Sequence, residues 1–145
     1  MNQTAISEEL HVSLLKFLLR GKRTVISSGA ALGLSSMQAM TLLLADSTVD
    51  RSMNYYRKMY QCDASNITGI IDGLEDKGLV SRHEHAKDRR IKMIHLEPAG
   101  KAIRSKLMKS VMDSDDRSFA VLSETERELL LVAVDKLVGQ DTTDE

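Results

Sequence analysis

Lys87, Asp88, Arg89 and Arg90 put three cations and one carboxylate into four consecutive residues, directly before the β-like run Ile91 to Leu96. A hairpin tip of this kind can reach along a phosphate backbone or into a minor groove. Arginine suits a narrow groove because negative potential is concentrated there. Upstream, Ser65, Asn66, Thr68 and Gly69 gather at the start of a helical pattern. Ser, Thr and Asn donate to phosphates or read base edges, and an Asn can pair with an adenine edge at two points at once. Gly69 removes a side chain and lets the backbone approach. Together these residues describe duplex recognition by an uncharged polar helix face and a cationic hairpin. The plainer readings are an ordinary amphipathic helix and a solvated turn. Their neighbourhood in the sequence weighs against both.

Other reactive groups carry less. Cys62 is the chain's one cysteine. It has the acidic neighbour Asp63 and reads as inert packing rather than as a redox sensor, which needs an accessible, activated thiol. His83 and His85 form an HxH pair, but two ligands on a loop are too few for a metal site. Tyr56 and Tyr60 fit a core. Arg51, Arg57 and Lys58 suit backbone phosphates or plain solvation equally well. No nucleophile, base and orienter come together, and no Gly-rich phosphate loop is present, so an enzyme is not expected. Neither a metal nor a cofactor is expected.

The chain has 145 residues, 42% hydrophobic and 28% charged, with aromatics at 3% and no Trp. That is the composition of a soluble globular domain whose core rests on aliphatic side chains and Met. Net charge is −1, yet Arg51 to Lys109 holds 13 Lys and Arg against 7 Asp and Glu, and the remainder holds 7 against 14. A basic middle with acidic flanks suits a module that faces a polyanion. A single Cys, the absence of a signal-like N-terminus and the absence of a long apolar run predict a cytoplasmic protein without a membrane span.

The elements that must position these groups follow from hydrophobic periodicity and capping. A first helix is predicted from Ser7, its cap, to about Arg20, with Gly21 at its end and a Gly/Ser-rich connection over Ser27 to Gly33. A second opens at Ser35 or Ser36 and runs to about Ala45, with Met37, Met40, Leu43 and Leu44 inward. A third spans Asp50 to Gln61. Asp63 caps a fourth, with Ile67, Ile70, Ile71 and Leu74 inward and Gly78 as its left-handed terminator. Leu79 to Arg82 and Ile91 to Leu96 form a hairpin around the loop HEHAKDRR. Pro98 lies in the first turn of a fifth helix that reaches about Arg117. Ser123 and Glu126 make a capping box for a sixth, and the acidic tail QDTTDE frays.

Helices joined by a short turn and followed by a two-stranded hairpin make a mainly α, winged helix-turn-helix arrangement. The block ASNITGIIDGLEDKGLVSR…KDRRIKMIHLEPAGKAI, Ala64 to Ile103, resembles the MarR family of bacterial transcription regulators. The shared pattern is a small polar residue and a Thr early in the recognition helix (Ser65 to Thr68), then Leu74 to Arg82, then the Asp88-Arg89-Arg90 wing, then Leu96 to Gly100. Glu97 departs from the usual capping Thr. Gly69 and Gly73 stand where relatives carry longer side chains, and the recognition helix has no Lys or Arg before Lys77.

The resemblance implies one 1–145 chain with a DNA-binding lobe over 34–97 and dimerisation helices over 5–24 and 98–139. It implies a homodimer on a roughly palindromic duplex site, repressing transcription and responsive to a small-molecule effector whose binding residues are not legible. Ser65, Asn66, Thr68, Gly69, Lys87, Arg89 and Arg90 would contact DNA. Asp88 would brace one arginine by a salt bridge, and one of the two, Arg90 by preference, would face the duplex. The alternative is a winged-helix module that binds another protein, with weak or no affinity for DNA.

Overall fold

The computed structural model describes residues 3–139, with the side chains of all of these but residues 115–118. The acidic tail lies outside the described residues. The order is α1 (Gln3–Ala31), α2 (Ser36–Leu44), β1 (Arg51–Ser52), α3 (Met53–Tyr60), α4 (Ala64–Asp76), β2 (Val80–Glu84), β3 (Lys92–Leu96), α5 (Pro98–Phe119) and α6 (Glu124–Val138). The predicted fold class holds: a mainly helical chain with a small antiparallel sheet, in winged-helix form.

Local signals placed α4 and α6 well. Asp63 accepts the Asn66 N–H at 2.9 Å and starts α4. Gly78, at φ +68°, follows the helix in the left-handed region that a β-carbon disfavours. Ser123 and Glu126 form the reciprocal capping box of α6, and Ser35 and Gln38 form another at α2.

Three expectations need correction. The first helix neither starts at Ser7 nor ends at Gly21. It runs from Gln3 to Ala31, and the Ser7 hydroxyl donates within it to the Gln3 carbonyl at 3.0 Å. A glycine costs a helix interior only ~1 kcal/mol. Burial of Val25, Ser28 and Gly29 further along offsets that, and Ser28 meets Ser110 of α5 at 2.8 Å. The predicted connection over Ser27 to Gly33 is therefore mostly helix, and Gly33, at φ +73°, is where the chain turns.

The inward face of α2 is also different. Ala39, Thr41 and Leu42 are buried, Met40 and Leu43 pack partly, and Met37 and Leu44 are exposed. This helix is apolar nearly all round, so periodicity alone could not choose its buried side. Burying Thr41 works because its hydroxyl donates to the Met37 carbonyl at 2.7 Å and meets the Tyr60 hydroxyl at 3.0 Å.

Finally, the third helix starts at Met53 rather than Asp50. Arg51 and Ser52 form a strand that pairs with Ile94 and Met93. The sheet order is β1-β3-β2, antiparallel throughout. Two polar residues give no alternation to read, so only the ladder partner reveals the strand. The core beneath is made by Leu42, Tyr56, Ile67, Ile71, Leu74 and Leu107, all essentially inaccessible. It fixes α4 and the hairpin on one body.

Candidate nucleic-acid interface

The N-terminal turns of α4, the start of α3 and the hairpin enclose an open cleft of about 690 Å³. Asn54 and Arg57 come from α3, Thr68 from α4, and His85, Arg90 and Lys92 from the hairpin. Thus Thr68 and Arg90, far apart in sequence, face the same space. Ser65, Asn66 and Gly69 lie on the exposed surface of α4 beside it, and Lys87 and Arg89 lie exposed on the hairpin loop. Lys92 and Asn54 were missed by sequence reasoning. Lys92 is visible as a cation beside the DRR triplet, but Asn54 has no local signal.

The hairpin tip is tied internally. Glu84 and Lys92 close the ladder. Asp88 accepts from Arg90 twice, Nε to Oδ1 at 3.1 Å and Nη2 to Oδ2 at 2.9 Å, and also takes the Arg90 backbone N–H at 3.0 Å. These bonds hold the Asp88 carboxyl below its ordinary range and raise the Arg90 guanidinium further. Arg89 donates to Glu84 at 2.8 Å and Lys92 lies 3.4 Å from the same carboxylate, so Glu84 is also held low. The Arg89 and Arg90 side chains remain 88% and 90% exposed. Each arginine therefore has a carboxylate to set its direction and most of its surface open to a ligand. The brace falls on Arg90, the arginine preferred for facing a duplex. A single guanidinium has donors enough for a carboxylate and a phosphate together.

Arg82 joins the hairpin to α4. Its guanidinium donates to Glu75 at 2.7 Å, to the Thr68 carbonyl at 3.4 Å and, at close range, to Asp72. This one side chain neutralises two carboxylates on the recognition helix and fixes the distance between helix and wing. The sequence shows Arg82 only as the last residue of a motif. Its two acidic partners lie on α4, ten and seven residues earlier and across the turn at Gly78, so no periodicity within one element relates them.

The remaining candidates are placed as follows. Tyr56 is buried, and desolvation raises its phenol well above the usual range. Tyr60 is partly buried and raised for the same reason. Arg51 stacks over the Tyr55 ring at 5.0 Å. Cys62 is partly buried against the core. His83 pairs with Asp50 at 3.3 Å rather than with His85, and His95 takes the other oxygen of Asp50 at 2.9 Å. Among the described residues no group of three His, Cys, Asp or Glu is arranged to hold a metal. None of the described helices is long and apolar enough to cross a membrane.

A second surface lies away from the cleft. No residue of α6 is buried, although it carries Leu129, Leu131 and Leu137, with Leu131 61% exposed. Over residues 10–19, α1 exposes Leu10, Leu15, Leu18 and Leu19, the last at 67%. Phe17 of α1 meets Phe119 of α5 edge to face at 5.6 Å, which brings this apolar surface onto the neighbouring helix.

Comparison with known proteins agrees with this geometry. The chain is 34% identical over 80 residues to a transcriptional regulatory protein for the hcr operon of Thauera aromatica. That match spans 55% of the chain and about half, 48%, of the relative's length. The crystal structure of the transcriptional regulator BldR from Sulfolobus solfataricus superimposes with a TM-score of 0.81 at 26% identity, over 97% of this chain and 99% of that one. A Staphylococcus aureus MepR mutant bound to an oligodeoxyribonucleotide matches with a TM-score of 0.60 at 22% identity, over 90% and 96% of the two chains. The MarR family model matches residues 57–92, the segment that carries the second half of α3, α4, β2 and the hairpin loop. With the cleft, the braced wing and the helix order, these likenesses make residues 57–92 a match to the MarR family and give the chain the fold of solved transcriptional regulators.

Proposed function

We propose that the protein is a homodimeric, sequence-specific DNA-binding regulator of transcription, and a repressor. The observation that carries this reading is the shared cleft. The front of α4 and a braced cationic hairpin, Lys92 included, face one concave space, with Asn54 and Arg57 added from α3. Such a surface fits a duplex with α4 in the major groove and the wing on the backbone or in the minor groove. Ser65, Asn66, Thr68 and Gly69 would meet the major groove, and Lys87, Arg89 and Arg90 the adjoining backbone and minor groove. The solved relative bound to an oligodeoxyribonucleotide supports the same mode.

The apolar surfaces of α1 and α6 support the dimer. Exposed aliphatic side chains on this scale mark an interface, and their sum over two long helices suits a second copy of the chain. Two-fold symmetry then sets two recognition helices one duplex turn apart on a roughly palindromic site. A small-molecule effector extends the same reading on the strength of the family resemblance, and no residues are assigned to it.

The test is a gel shift on fragments from upstream of the protein's own gene, at two salt concentrations. Tight binding that weakens steeply with salt is expected. Arg90→Ala should weaken it and reduce the log–log salt slope by about one, because one phosphate is no longer neutralised. An intact dimer that binds no fragment would instead favour the protein-binding alternative, which the uncharged front of α4 supports.

A further inference from the structure

We infer that Asn66 is the one side chain on the recognition helix equipped to read a base pair in two directions at once, and that it reads adenine. The major-groove specificity of each half-site then centres on a single A·T pair. This rests on the DNA-binding reading above and adds which base is recognised and by what.

The three polar side chains at the front of α4 are not equivalent. The Ser65 hydroxyl donates to Asp63 at 2.9 Å, and the Thr68 hydroxyl donates to the Ala64 carbonyl at 2.8 Å. Both hydrogens are used within the helix, so these two side chains offer acceptor lone pairs alone. The Asn66 backbone N–H is spent on the Asp63 cap, which fixes the residue in the first turn. Its side-chain amide pairs with no group among the described residues and is exposed. An amide carries a donor and an acceptor side by side, the pair that adenine N7 and N6 complement.

Guanine presents two acceptors, O6 and N7, and the commonest specific contact to them comes from Arg or Lys. Between Ala64 and Asp76 the helix has neither. Its charges there are Asp72, Glu75 and Asp76, and Arg82 occupies the first two. One turn beyond Asn66 on the same face, Gly69 presents no side chain, and a β-carbon built there meets nothing within 4 Å. The space beside the Asn66 amide is therefore open to the base edge and to the thymine methyl across the pair.

The test selects full-length protein against a library of duplexes with a randomised core and sequences what is retained at two salt concentrations. One A·T pair per half-site should be specified most strongly. Asn66→Ala should relax that preference about tenfold to a hundredfold while the salt slope and the unfolding temperature stay unchanged. Gly69→Arg, placed in open space, should add a preference for G·C at the adjacent pair. Half-sites that specify only G·C pairs, or an A·T preference that survives Asn66→Ala, overturn the inference. Salt-sensitive retention with no base preference also overturns it, yet leaves the DNA-binding function standing. Loss of all salt-sensitive retention by the unmodified protein removes both.

Discussion

Arg104 of α5 donates from Nε to the carbonyl oxygen of Ala45 at 2.9 Å, just past the end of α2. Its Nη2 reaches the Leu43 carbonyl at 3.3 Å. The last carbonyls of a helix have no partner within it, and a cation there also meets the negative end of the helix dipole. One half-buried guanidinium thus finishes α2 and pins it to the long helix that leads away from the cleft. Arg104→Met leaves both carbonyls without that donor and should cost about 1–3 kcal/mol of stability. Arg104→Lys should recover part of it. For the proposed DNA-binding role, affinity should fall in both, because α5 no longer holds the end of α2 in place. Unchanged melting and unchanged affinity in the Met variant would sink this role.

Asp63 gives a pH dependence with a definite sign. The Asn66 N–H and the Ser65 hydroxyl hold its carboxyl below the ordinary value of 3.8. A folded value below the unfolded one stabilises the protein at neutral pH, and that contribution is lost as pH falls through 3.8 to the folded value. Asp88 and Glu84, held low by Arg90 and Arg89, behave the same way. These three carboxylates should give an acid limb in which melting temperature drops below about pH 5. Asp63→Asn retains the cap and should flatten the acid limb, whereas Asp63→Ala should lower stability at neutral pH too. An acid limb in Asp63→Asn identical to that of the unmodified protein would count against the assignment.

Gly100 sits in the first turn of α5 against the end of the α4–β2 connection. A β-carbon there would overlap the Leu79 carbonyl oxygen and stand 2.9 Å from both the Leu79 carbonyl carbon and Leu96 Cδ1. Backbone cannot move aside as a side chain can, and the Leu79 oxygen is already engaged by the Glu97 N–H at 3.0 Å. Gly100→Ala should destabilise by ~1–3 kcal/mol, read from denaturant midpoints at constant slope. A variant as stable as the parent would show that the two segments have more room than the structure gives them.

The α1 and α6 surfaces predict an oligomer. Leu131→Glu, on a residue that touches no core, should convert a dimer into a monomer in sedimentation without unfolding the rest of the chain. DNA affinity should drop by orders of magnitude, since two linked half-sites are then bound one at a time. A parent chain that sediments as a monomer at micromolar concentration would remove the two-fold reading.

Some of this was legible early because its causes are local. Asp63, Gly78 and Ser123 terminate helices through bonds to residues three or four positions away. The hairpin likewise follows from two β-like runs around a charged loop. The candidate residues on α4 and the wing were named from such short-range patterns. Which of them share a cleft was not, because Thr68 and Arg90 meet only after the sheet folds back on α4.

The sequence by itself determined the mainly helical winged arrangement, the caps of α4 and α6, and the cationic hairpin, since each depends on residue type and short spacing. Only the tertiary structure decided the full length of α1, the buried side of α2, the strand at Arg51 and Ser52, and the clamps of Arg82 and Arg104. Those outcomes depend on burial and on hydrogen bonds between residues distant in the chain. A local preference of ~1 kcal/mol, such as Gly21 in a helix, yields to the burial of Val25, at ~1.5–3 kcal/mol, and to the packing of Ser28 and Gly29 beside it.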